Sequence, residues 1–177
     1  GNHEGWTDNT KAFTQSTAIN PKATPYYSFE KGDALFLILN TEVSVGVNSQ
    51  QWKFAADQLK NSTKKWKIVV FHIPAYSSGA HGENKNMKNM TENIFEKYGV
   101  KLILTGHSHF YQHNLVNGIH HMVIGSAGSP LYTPKKADYT INQAKKYHYA
   151  VVNVNPERIK MTIKGMDKEV IDEFEIK

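Results

Sequence analysis

Two short apolar runs, each followed within three residues by a histidine, constrain the fold of this 177-residue chain more than any other feature. The runs are residues 67–71 and residues 100–104. Between them, four residues recur at helical spacing: Met87, Met90, Ile94 and Tyr98. Gly99 then ends the predicted helix. A strand, helix and strand of this length form the right-handed crossover of a parallel pair. The pattern therefore predicts an α/β fold in which both runs end at one edge of a sheet.

Further elements are predicted on both sides of this unit. Residues 26–30 and 34–39 flank a turn that contains glycine and predict a β-hairpin. After Ser49, four residues at i, i+3, i+4 and i+7 predict an amphipathic helix: Trp52, Ala55, Ala56 and Leu59. Four more segments have the composition or alternation of strands: 120–124, 147–154, 160–164 and 170–176. We expect a mixed α/β architecture whose sheet ends in an antiparallel meander.

Histidines follow both apolar runs. His72 lies just after the first run, where Pro74 disfavours continuation of a central strand. His107 and His109 lie just after the second run. Ligands of open α/β sheets collect at the carboxyl edge, so we expect His72 and His107 to face one crevice. Because the chain has no cysteine, any transition metal there would be held by His, Asn or carboxylate ligands.

Composition limits the remaining possibilities. The length and the 40% hydrophobic content favour one folded domain over residues 1–177. The formal charge of +5 is compatible with phosphate esters or nucleic acid, but the lysines are scattered, so a nucleic-acid partner is not favoured. No apolar stretch reaches the roughly 18 residues of a membrane span.

Three motifs occur in the order found in one enzyme family. Gly1-Asn2-His3-Glu4, His72 and Gly106-His107-Ser108-His109 together resemble the later metal-binding motifs of the calcineurin-like metallophosphoesterases. Glu4, the nine-residue spacing from His72 to His81, and residues 106–111 resemble the purple acid phosphatase branch. Gln112-His113 stands where that branch usually has Glu-Arg. The resemblance covers roughly residues 1–130.

The resemblance implies a β-sandwich flanked by helices, of which this chain would be the C-terminal half. The motifs that carry the aspartates would precede residue 1, so residues 1–177 would form one partial catalytic domain. Two transition metal ions (Fe, Zn or Mn) and a metal-bound hydroxide would hydrolyse the phosphate ester. The implied ligands are Asn2, His72 and His107 for one metal and His109 for the other. His3 and His81 would stay unligated, facing the substrate.

Three functions are compatible with these residues. The leading one is a phosphomonoesterase of the acid phosphatase type acting on a small phosphate ester, and the second is a phosphodiesterase or nuclease of the same superfamily. The third is a catalytically silent domain with a single metal. Because every visible ligand is neutral and two adjacent dications repel, we expect the fragment alone to bind a metal pair weakly and to be inactive.

The same resemblance bears on partners and location. Incomplete sheets expose strand edges, which predicts pairing with a missing N-terminal segment of the same protein or self-association. The branch suggests a secreted or cell-envelope location.

Overall fold

The computed structural model describes Asn2, residues 26–79 and residues 81–177. Ten strands and two α-helices lie in these residues. The strands are β1 Tyr27–Lys31, β2 Ala34–Ile38, β3 Trp66–Val70, β4 Leu102–Thr105, β5 Tyr111–Val116, β6 Ile119–Ile124, β7 Thr140–Ala144, β8 His148–Val154, β9 Ile159–Gly165 and β10 Val170–Ile176. The helices are α1 Gln50–Asn61 and α2 Lys85–Met90. No helix within the described ranges is long and apolar enough to cross a membrane.

A seven-stranded mixed sheet has the order β1-β2-β3-β4-β6-β5-β7. Strands β2, β3, β4 and β6 run parallel to one another, and β1 pairs with β2 as the predicted antiparallel hairpin. In the parallel pair formed by β3 and β4, Ile68 lies opposite Leu102. The predicted crossover unit is therefore confirmed, and β3 and β4 end at the same edge.

The helices cover one face of this sheet. Ser49 caps α1, because its side chain accepts a hydrogen bond of 3.1 Å from the backbone N–H of Trp52. Helix α2 continues into a π-helical turn at Thr91–Phe95. The wider turn brings Phe95 into the core beside the predicted stripe residue Ile94.

The opposite face packs against a second sheet. Strands β8, β9 and β10 form an antiparallel sheet of three strands in the order β10-β9-β8. Met161 and Ile163 of this sheet join a core with Trp66 and Met122 of the larger one. The predicted meander is present, but it forms its own layer of a β-sandwich and does not extend the seven-stranded sheet. A mixed α/β architecture with helices outside is confirmed.

Two strands, β5 and β7, were absent from the sequence prediction. Strand β5 carries buried polar side chains, among them Gln112, His113 and Asn114, so it lacks the apolar alternation of a half-buried strand. Asn117 and Gly118 both have positive φ, at 49° and 77°, in the turn that joins β5 to β6. An Asn-Gly pair is a strong hairpin signal and would have identified β5.

Candidate metal centre

The two histidines that follow β3 and β4 lie side by side. The backbone N–H of Gly106 donates to the carbonyl of His72 over 3.1 Å, which ties the two loops together. The ring centroids of His72 and His107 are 5.1 Å apart, and Nδ1 of His107 lies 3.3 Å from Nε2 of His72. The prediction that both histidines face one crevice is confirmed.

Asn2 adds a third side chain that is able to ligate a metal ion. Its Oδ1 lies 2.7 Å from Nε2 of His72. An amide oxygen and an unprotonated imidazole nitrogen each offer a lone pair to a metal ion. Two ligands that each lie about 2.1 Å from one ion are about 3 Å apart at tetrahedral or octahedral angles. Nε2 of His72 therefore lies at distances from Asn2 and from His107 that are close to those between ligands sharing one ion.

The turn that carries His107 is held in an unusual conformation. His107 has φ 61°, in the left-handed region, which costs an L-residue about 1 kcal/mol. Ser108 is fully buried beneath it, and its Oγ lies 3.2 Å from Oγ of Ser77. A Cβ on Gly125 would lie 1.9 Å from the carbonyl oxygen of Ser108, so only glycine allows this approach. Packing from below thus fixes the loop that bears His107 and His109.

His81 reaches the same group from the loop after β3. Its ring centroid lies 4.9 Å from that of His107 and 6.3 Å from that of His109. A Cβ on Gly79 would lie 2.2 Å from Cε1 of Phe110, so glycine lets this loop pack closely on the loop after β4. Five of the predicted site residues therefore have a neighbour among the others at this edge: Asn2, His72, His81, His107 and His109.

His109 is fixed by a different set of contacts. Its Nδ1 lies 3.1 Å from the carbonyl oxygen of Pro130, and its ring stacks on Tyr132 with centroids 4.6 Å apart. Because a carbonyl only accepts, Nδ1 carries the proton, and Nε2 keeps a lone pair available to a metal. This is the arrangement expected of a ligating histidine.

The side chains of His72 and His107 form a group of three metal-binding side chains only when the amide of Asn2 is counted with them. Within the part of the chain that the structure describes, no three His, Asp or Glu side chains form a cluster able to hold a metal ion. His3 and Glu4, predicted from the first motif, lie outside the described residues.

Comparison with known proteins assigns the family. The model of the calcineurin-like phosphoesterase family matches residues 1–111, which is more than half of the chain. The chain belongs to the calcineurin-like phosphoesterase family. Among curated relatives, it is 31% identical over 121 residues to the Fe(3+)-Zn(2+) purple acid phosphatase 12 of Arabidopsis thaliana, a match covering 60% of this chain and 26% of that protein. It is 29% identical over 145 residues to a purple acid phosphatase of Glycine max, covering 67% of this chain and 31% of that protein.

Solved structures support the same fold. A purple acid phosphatase from yellow lupin (Lupinus luteus) seeds matches with a TM-score of 0.78 and 21% identity, covering 85% of this chain and 32% of that one. A protein described as the anchor in the inner membrane complex of Plasmodium matches with a TM-score of 0.73 and 19% identity, covering 85% of this chain and 52% of that one. The chain spans roughly a quarter to a third of the length of the curated relatives named above.

Gln112, noted in the sequence only as a departure from the purple acid phosphatase pattern, supports the site of this calcineurin-like domain. It is fully buried, and its Oε1 accepts a 3.1 Å hydrogen bond from the N–H of Ser78. Its Nε2 donates to the carbonyl of Lys135 and to Oγ1 of Thr140, each over 3.2 Å. Gln112 therefore joins the loop that carries His81 to the segment that follows Tyr132.

His113 and His120 take part in a network between the sheets. Asp172 of β10 accepts hydrogen bonds from His113 at 2.9 Å and from Tyr111 at 2.5 Å, and His113 contacts His120 at 2.8 Å. Burial alone would raise the pKa of Asp172, but the hydrogen bonds from His113 and Tyr111 outweigh it and hold the pKa below its ordinary value. The network joins the two layers of the sandwich.

His121 is also buried, on the helix-covered face. Its ring lies 4.7 Å from that of Tyr76 in a T-shaped contact, and neither ring nitrogen has a hydrogen-bond partner in the described part of the chain. Burial, and to a smaller extent the charge of His120, lowers the pKa of His121 to about 3. His121 is therefore neutral in the folded protein near neutral pH.

Proposed function

We propose that this chain is part of a metal-dependent phosphomonoesterase of the acid phosphatase type, acting on small phosphate esters. The observation that carries the proposal is the convergence of the donor atoms of Asn2, His72 and His107 at the carboxyl edge of the sheet. The purple acid phosphatases among its relatives support the same reaction class.

The donor set fits a transition metal. Imidazole nitrogens with an amide oxygen suit Fe, Zn or Mn better than Ca or Mg. Asn2, His72 and His107 would hold one ion, and His109 would bind a second through Nε2. These donors are neutral, so the carboxylates that offset repulsion between two such ions would come from residues outside the described part of the intact protein. When bound, the metal pair would supply Lewis-acid activation of the phosphoryl group and of the attacking water.

His81 has the position of a substrate-facing group. In hydrolysis a water oxygen bonds to phosphorus, the ester P–O bond breaks, and the departing alkoxide takes up a proton. His81 lies near His107 and His109, and its neighbouring loop is anchored by Gly79 and Gln112. It would donate this proton or hydrogen bond to the phosphoryl oxygens. His3 is assigned the same kind of role from its motif alone.

The test uses the intact protein with p-nitrophenyl phosphate and its bis ester. We expect kcat/KM for the monoester to exceed that for the bis ester by at least about tenfold. His81→Ala should lower kcat for the monoester about 100-fold, because it removes a hydrogen-bond donor to the phosphoryl oxygens, while Tyr147→Phe should have no effect.

Other outcomes would favour the alternative functions. A dominant activity on the bis ester would indicate a phosphodiesterase. Less than one transition metal per intact chain, with neither ester cleaved, would indicate a catalytically silent domain and contradict the proposal.

A further inference from the structure

The segment Pro130–Tyr132 contacts His109 in three ways. The rings of Tyr132 and His109 are nearly parallel, at 12°, with centroids 4.6 Å apart. The backbone N–H of Tyr132 donates to the carbonyl of His109 over 3.0 Å, and Nδ1 of His109 lies 3.1 Å from the carbonyl oxygen of Pro130. One short segment thus restrains both the backbone and the ring of a single histidine.

Tyr132 also touches the second loop of the site. Its ring centroid lies 5.0 Å from that of His81, at an interplanar angle of 62°. His81 follows β3 and His109 follows β4, and their own ring centroids are 6.3 Å apart. Tyr132 therefore bridges side chains from two loops that are distant in sequence.

The segment that carries Tyr132 is itself anchored. The backbone N–H of Lys135 donates to the carbonyl of Ser78 over 3.3 Å. The carbonyl of Lys135 accepts a hydrogen bond from buried Gln112. Tyr132 is half-buried on this tethered segment, so its ring can restrain the histidines beside it.

We infer that Tyr132 is a positioning residue that selects the metal-ready state of His109. A loop imidazole has two flipped ring orientations and two neutral tautomers. Stacking on Tyr132, together with the Pro130 carbonyl, selects the state with the proton on Nδ1 and the lone pair on Nε2. The consequence for metal affinity rests on the proposed function, whereas the orientation of His109 does not.

The experiment compares Tyr132→Leu, which removes the stacked ring, with Tyr132→Phe, which keeps it, in the intact protein. Tyr147→Leu is the matched control, because Tyr147 is an exposed tyrosine outside the site. Side-chain nitrogen NMR of His109 in the metal-free, histidine-labelled protein reports the tautomer, and titration with zinc reports affinity.

We expect wild type, Tyr132→Phe and Tyr147→Leu to show His109 protonated at Nδ1. In Tyr132→Leu the signal should shift toward a mixture of tautomers, and zinc affinity should fall at least about tenfold, as for other residues that orient a metal ligand. Tyr132→Met provides a second variant without the ring.

An unchanged His109 signal in Tyr132→Leu would overturn the inference, as would failure of both non-aromatic variants to fold, since Tyr132 would then be needed for the fold itself. If the wild-type protein bound no zinc while the His109 signal changed as expected, the metal assignment would fail and the positioning role of Tyr132 would stand.

Discussion

Eight histidines of this domain divide into two groups of four with opposite surroundings. The edge group lies in loops just past β3 and β4 and is at least partly exposed: His72, His81, His107 and His109. The interior group lies within or at the start of β5, β6 and β8: His113, His120, His121 and His148. Members of the edge group lie close to one another, whereas the interior group is spread over both faces of the large sheet. Histidine content alone therefore does not mark the site, but position relative to a strand end does.

The two groups differ physically because burial disfavours the charged form of the imidazole ring in the interior group. Burial lowers the pKa of His120 to about 4 and of His121 to about 3, and it lowers the pKa of His148 as well. These histidines stay neutral in the folded protein near neutral pH and contribute to packing. The edge histidines lie where solvent, a substrate or an ion can reach them.

The largest expected effect on stability comes from the packing beneath the edge group. Gly125→Ala would force a methyl group against the Ser108 carbonyl, at 1.9 Å before relaxation. We expect a loss of about 3 kcal/mol in the free energy of unfolding, typical of overpacking at a rigid site, together with weaker zinc binding. Denaturant unfolding and zinc titration would measure both.

Gly46→Ala is the matched control for this substitution, because a Cβ there would meet nothing within 4 Å. If Gly125→Ala were as stable as Gly46→Ala, the proposed support of the edge loop by the end of strand β6 would be wrong.

A smaller effect is expected from the interior group. His121→Phe would keep the aromatic contact with Tyr76 and remove two buried nitrogens without partners in the described residues. We expect a gain of about 1 kcal/mol in stability at pH 8, because the desolvation cost of these nitrogens disappears. Chemical denaturation at pH 8 would measure it.

The pH dependence of the free energy of unfolding provides a second test of the state of His121. Since the folded pKa of His121 is about 3 and the ordinary value is 6.5, the unfolded chain binds a proton below pH 6.5 that the folded chain does not. Stability should therefore fall as pH drops from 6.5 toward 3, with His121 contributing up to about 1.4 kcal/mol per pH unit. His121→Phe should flatten this slope; an identical acid profile in both proteins would contradict the neutral, buried assignment.

The sequence predicted most of the framework that forms the edge. Short apolar runs identified β3 and β4, and the helical stripe between them implied a parallel crossover. That crossover is sufficient to place His72 and His107 together, because parallel strands end at the same edge of a sheet.

Other parts could not be predicted because their signals are not periodic. Strand β5 buries polar side chains that pair across the structure, so its sequence lacks an apolar alternation. Tyr132 lies in an irregular segment, and its stacking on His109 depends on the approach of two loops. The division of the strands into two layers follows from contacts such as Trp66 with Asn155, whose carbonyl accepts the indole N–H at 2.7 Å. The roles of the predicted ligands, the domain extent and the secreted or cell-envelope location stay predictions.

The central claim is that the edge histidines bind metal and the interior ones do not. The most direct measurement is the zinc content and zinc affinity of the intact protein, compared with His107→Ala and His148→Ala after dialysis against a chelator and reloading. We expect His107→Ala to lose at least about tenfold in affinity, because it removes a ligand, and His148→Ala to bind zinc as the wild type does. Equal binding by wild type and His107→Ala, or loss of binding only in His148→Ala, would contradict the account.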